Sequence, residues 1–128
     1  MGDKHDHDDP QYASKEPVVA FALYKPKPGK AKELEVLVAK HIPTLRELGL
    51  VTDRAPVLVR STDGTLIEVF EWRSGEAIGR AHQHPKLAMV WEAMGAIAEF
   101  PPLSALPEAN GRFPGFAPVN LGSKEKVS

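Results

Sequence analysis

Asp63-Gly64 joins two apolar runs of strand length, and that junction limits the fold more than any other feature of the chain. Val57-Leu58-Val59-Arg60 lies before it and Leu66-Ile67-Glu68-Val69-Phe70-Glu71-Trp72 after it, across Ser61-Thr62-Asp63-Gly64-Thr65. An Asp-Gly pair in this setting signals a hairpin, with both residues expected at positive φ. The two strands must then be antiparallel neighbours. Along the second, Leu66, Glu68, Phe70 and Trp72 share one face, while Ile67, Val69 and Glu71 share the other. Pro56 is compatible with a strand start or a sheet edge.

A further strand is expected upstream, in the β-branched and aromatic run Val18-Val19-Ala20-Phe21-Ala22-Leu23-Tyr24, closed by Lys-Pro-Lys-Pro-Gly at residues 25–29. Helical spacing of Leu34, Leu37, Val38, Ile42, Leu45 and Leu48 predicts a helix from about Lys30, with Gly49 as its terminator. Pro43 should kink or restart it near His41 and Ile42. Downstream, Ser74 is placed to cap a helix carrying Ala77, Ile78 and Ala81. His82-Gln83-His84-Pro85 interrupts that helix, and Leu87, Val90, Trp91, Met94, Ile97 and Ala98 mark a further one, stopped by Pro101-Pro102. Beyond Pro102, three prolines with Phe113 and Phe116 predict an extended, draped segment with a short strand around 103–106.

Composition sets the class. With 128 residues, 26% charged and 42% hydrophobic, the chain fits one soluble globular domain. A net charge of −1 gives no electrostatic case for nucleic acid. No apolar run approaches the roughly 20 residues that span a bilayer, and no secretory core follows Met1, so neither membrane nor export is expected and the location expected is cytoplasmic. The absence of cysteine removes disulfides, thiolate metal sites and Cys nucleophiles together. Residues 1–17 carry a net charge of −3 and few apolar side chains, and are expected to form a flexible acidic arm. Its His-Asp-His-Asp-Asp run holds metal-ligand types, but such an arm makes a poor cage. The folded domain is expected over 18–108, with an extended tail over 109–128.

The order strand, helix, strand, strand, helix, short strand defines an α+β protein with the ferredoxin-like split β-α-β arrangement, an antiparallel sheet with helices on one face. The other face needs cover, for which a homodimer with its sheets face to face is economical. The stretch from Val69 through Trp72-Arg73-Ser74-Gly75-Glu76-Ala77-Ile78, with Ala81-His82-Gln83-His84-Pro85 after it, resembles the dimeric α/β-barrel superfamily, in particular its antibiotic-biosynthesis-monooxygenase-like members. The resemblance covers roughly residues 18–108. It implies a homodimer, a dimeric α/β barrel with a pocket between sheet and helices in each subunit, and chemistry that in some members runs on dioxygen without a cofactor. Heme-degrading members carry an Asn on the first strand, a Trp in the second helix and a heme-ligating His. Here the first strand offers Tyr24, and the other two positions fall near Ala81 and Trp91. None of the three carries over, and no cofactor is implied.

His41 shares the apolar stripe of its helix, so it faces the sheet, where an imidazole can act as a general base near neutral pH. The competing reading is a packed histidine bonded to backbone. His82 is the second candidate catalytic residue. His82 and His84, two apart, face opposite ways on a helix and make no ligand pair, and a zinc site would need a third ligand such as Glu71 or His41. No metal is expected. Capping of the two helices is the competing role for both. Tyr24, Glu68, Phe70, Trp72, His84 and Trp91 are the candidate ligand-binding residues, around a small, planar aromatic ligand, with core packing as the alternative for the aromatics. An acid at Glu68, on the face of Phe70 and Trp72, is placed either at a wet dimer rim or in a pocket. The chain contains no dinucleotide-binding, Walker or nucleophile-elbow motif. Two functions lead: a cofactor-independent monooxygenase acting on a planar, phenolic substrate, and a non-catalytic dimeric ligand-binding or stress-associated module; a metal-dependent enzyme stays as a third only because three histidines follow the arm.

Overall fold

Central strand β3 (Leu66–Trp72) organises the molecule, because it lies in the middle of the sheet with β1 on one side and β2 on the other. A computed structural model describes residues 13–121 of the chain. β1 (Val18–Pro26) pairs antiparallel with β3 from Val18↔Trp72 to Tyr24↔Leu66, and β2 (Val57–Arg60) pairs with it from Val57↔Val69 to Arg60↔Leu66. Two-residue strands extend the edges: β4 (Ala98–Glu99) beside Lys25 and Pro26, and β5 (Ala117–Pro118) beside Val59 and Arg60. The order β4-β1-β3-β2-β5 gives an α+β protein compatible with the ferredoxin-like arrangement.

The hairpin forms, with a different turn from the one expected. Ser61 and Thr65 pair through Ser61 N–H to Thr65 O (2.9 Å), and Gly64 N–H bonds Ser61 O (3.0 Å). Of the two turn residues only Gly64 has positive φ (93°), since a three-residue loop needs a single left-handed position at its end. Asp63 is right-handed and Oδ1 accepts from Thr65 N–H (3.0 Å). The fourth strand also differs. It occupies Ala98–Glu99, directly after the last helix, while Leu103–Ala105 forms a 3₁₀ turn and Pro107–Asn110 a second.

Helix α1 (Ala31–Glu47) runs through Pro43 without restarting. Its C-terminus closes in a Schellman motif, with Leu50 N–H on Leu45 O (3.0 Å), Gly49 N–H on Arg46 O (3.0 Å) and Gly49 at φ 73°. Leu45 and Leu50 then meet in the core. Helix α2 (Gly75–His82) begins at Ser74, whose hydroxyl accepts from Ala77 N–H (3.1 Å), as its sequence position predicts. Helix α3 (Pro85–Ile97) follows after a break of two residues. Its N-cap is His84, with Nδ1 accepting from Lys86 N–H (3.1 Å) and Pro85 in the first turn.

The helices cover one face of the sheet, where Leu66, Phe70 and Trp72 pack with Leu34, Val38, Ile42, Leu45, Ile78 and Leu87. The opposite face is half-covered by the chain itself. Leu106 lies against Leu23 and Ile67, with Phe116, Val59 and Val69 around them. Glu108 fastens this strap to the hairpin by accepting from Ser61 Oγ–H (2.8 Å) and Thr62 N–H (2.9 Å). The tail expected over 109–128 thus contributes β5 to the sheet. Of the expected arm, residues 1–12 lie outside the described residues. Ser14 O accepts from Glu76 N–H (3.1 Å), and Lys15 Nζ reaches Glu76 (2.9 Å), which ties this end to the start of α2.

Candidate functional site

Ala20 and Ala22 on β1 stand opposite Phe70 and Glu68 on β3. Two small side chains beside two large ones leave room beneath the helices. A cavity of about 460 Å³ fills it, lined by Tyr24, His41, Phe70, Trp72, His82 and Trp91 among others. Six of the eight residues singled out in the sequence therefore share one cavity. A further wall is the segment from Phe100 to Leu103, in which the sequence shows a helix stop at Pro101-Pro102 and the start of the short strand expected over 103–106. Phe100 could have been suspected from being an aromatic set directly before two prolines. Its ring lies edge-on to Tyr24, with centroids 5.9 Å apart.

The cavity floor is a hydrogen-bonded chain. Trp91 Nε1–H donates to His41 Nε2 at 3.0 Å. An indole nitrogen can only donate, so His41 Nε2 carries a lone pair and its proton sits on Nδ1. That Nδ1–H donates to Glu68 Oε1 at 2.8 Å, and Tyr24 O–H donates to the same oxygen at 2.8 Å. Tyr24 oxygen and His41 Nδ1 are 3.3 Å apart. His41 (2% exposed) and Glu68 (3% exposed) are both buried, so Glu68 belongs to the interior and not to a wet rim. A buried carboxylate must have donors, and this one has two. Protonating His41 Nε2 would set two N–H donors against each other, so the His41–Glu68 contact is a hydrogen bond from the neutral ring, not an ion pair.

Burial, reinforced by the Glu68 carboxylate at hydrogen-bond distance, holds the Tyr24 hydroxyl well above the ordinary tyrosine range. The hydroxyl therefore keeps its proton across physiological pH.

His82 and His84 separate in role. His82 is in the cavity wall, its ring 5.3 Å from that of Trp91, and its Nδ1 is 3.0 Å from Ile78 O. This fixes its proton on Nδ1, because a carbonyl only accepts. His84 lies outside the cavity lining and serves as the cap of α3. Among the described residues, no group of three or more His, Asp or Glu is placed to hold a metal ion. No described helix is long and apolar enough to cross a membrane. No protein-family model matches this chain, and no curated protein matches it.

Proposed function

We propose that the chain is a homodimeric small-molecule-binding protein that takes a planar, phenolic ligand into the aromatic cavity and acts on it as a cofactor-independent monooxygenase. The observation that carries this reading is the Tyr24–Glu68–His41–Trp91 chain at the floor of a cavity walled by Phe70, Trp72 and Phe100. Flat aromatic walls suit a planar ring, and the Tyr24 oxygen offers a lone pair to a phenol. The phenol gives its proton to the Tyr24 oxygen as the Tyr24 proton passes to Glu68. His41 holds the receiving carboxylate through Nδ1–H and acts as a positioning residue, since both of its nitrogens are engaged. His82 is placed to meet the ligand from the cavity wall. Dioxygen is the oxidant: one oxygen atom enters the ring to give a quinone, and the other leaves as water with the two hydrogens the substrate loses. A dimer is favoured by the uncovered part of the outer sheet face, where Val19 (51% exposed), Phe21 (53%) and Val57 (55%) remain beside the strap.

The non-catalytic reading has its own support, because the Tyr24 hydroxyl, both His41 nitrogens and the Trp91 indole N–H already have partners within the protein. Oxygen uptake separates the two. With a hydroquinone or naphthol supplied, the enzyme consumes dioxygen and Glu68→Gln does not. Binding without uptake selects the ligand-binding module, and neither binding nor uptake refutes both.

A further inference from the structure

Glu68, which stands behind the aromatic cavity and not in its lining, borders a second cavity of about 510 Å³ between α1, β2 and the segment after β5. Val38, Ile42, Val57 and Leu58 give it an apolar stretch of wall. Among the described residues that line it, Glu68 is the one acid and Arg46 the one base. Both hydrogen bonds to the carboxylate end on Oε1, and Oε2 takes none from any described residue. Oε2 is not among the fully buried unpartnered atoms, so it is open to solvent, and a carboxylate with about four acceptor sites has room there for a further donor. Arg46 is exposed, and its guanidinium spends one Nη2 bond on Arg54 O (3.2 Å), which leaves other donors of the fork for an anion.

We propose that this second cavity binds a short ω-amino acid, with the ammonium on Glu68 Oε2, the hydrocarbon chain along the apolar walls and the carboxylate on Arg46. A buried acid and an exposed base at one apolar cavity match opposite charges held apart by methylenes. A simple amine would leave Arg46 unused, and a simple carboxylate would meet Glu68 with like charge. Binding at this site is measured without turnover at the aromatic cavity, so its failure is distinguishable from failure of the proposed monooxygenase. The site touches the aromatic cavity's chemistry at one point, since the other oxygen of the same carboxylate holds Tyr24 and His41.

Calorimetric titration of the full chain with ε-aminocaproate, hexylammonium and hexanoate tests the proposal. The zwitterion should bind one to one, about tenfold tighter than hexanoate. Arg46→Ala should bring ε-aminocaproate down to the affinity of hexylammonium and leave hexylammonium unchanged. Both substituted positions are exposed, so folding is retained in Arg46→Ala and in Ala39→Trp, which should fill the mouth and abolish binding. Hexanoate binding as tightly as the zwitterion, or no heat from either amine with the wild-type chain, overturns the proposal. So does full ε-aminocaproate affinity in Arg46→Ala or in Ala39→Trp.

Discussion

Trp91 on α3 donates its indole N–H to His41 Nε2 on α1 at 3.0 Å, and this single bond sets the tautomer by which His41 grips Glu68 on β3. One interaction between two helices thus decides how a buried carboxylate in the sheet is held. It also joins the wall of the aromatic cavity to its floor.

Removing His41 should be costly. His41→Ala leaves the Glu68 carboxylate short of a donor and the Trp91 N–H without its acceptor, both in the interior. The expected loss is about 2–3 kcal/mol in urea unfolding, the range for leaving a buried carboxylate short of a donor. Trp91→Phe frees the tautomer while keeping an aromatic wall, and should cost less, about 1–2 kcal/mol.

The Tyr24 hydroxyl gives the protein an alkaline limb. Its pKa is raised on folding, so the folded state binds the proton more tightly than the unfolded state. The stability this contributes is complete below the ordinary tyrosine value near 10 and is lost as pH rises from there toward the folded value. Ultraviolet titration should show one of the two tyrosines ionising only as the protein unfolds, and Tyr24→Phe should remove that late step.

The strap across the outer sheet face should loosen in acid. Thr62 N–H and Ser61 Oγ–H hold the Glu108 carboxyl below the usual range, with the backbone bond the largest cause. A depressed carboxyl contributes stability above its unfolded pKa and loses it as pH falls through the folded value. Protection factors of residues 103–110 should therefore fall below about pH 4, and Glu108→Gln should show the lowered protection already at neutral pH.

Phe21→Glu should separate the subunits of the proposed dimer. The residue is exposed on β1 beside Val19, so the substitution places a charge on the apolar patch while leaving the buried core intact, although Phe21 also reaches the edge of the aromatic cavity. Light scattering should report a dimer for the wild-type chain and a monomer for the variant. A wild-type monomer would remove the dimer from the account.

The elements with a strong period or a terminal signal are legible in the sequence. β1, β2 and β3 show as apolar runs, α1 ends at Gly49 in the one conformation that glycine favours, and α2 starts at Ser74 with its cap bond made. β4 does not fall at the expected 103–106, because a two-residue strand has no period; its position is set by where α3 ends against Lys25 and Pro26. Pro43 leaves α1 continuous because the packing of Leu34, Val38, Ile42 and Leu45 on the sheet outweighs one missing hydrogen bond. His41, Tyr24 and Glu68 could each be named from periodicity. Their meeting could not, since the contacts span 27 and 44 residues and depend on the Ala22↔Glu68 register. The Phe100–Leu103 wall carries no periodic signal at all.

The most direct test of the aromatic cavity is a nitrogen-labelled NMR titration that follows the Trp91 indole N–H while β-naphthol is added. This proton sits between the cavity wall and His41, so a ligand in the cavity must change its surroundings. A saturable shift of the Trp91 signal, weakened in Tyr24→Phe, is the predicted result. An indole signal that stays in place up to saturating β-naphthol would contradict the account, because an aromatic ring could not then occupy the space bounded by Tyr24 and Trp91.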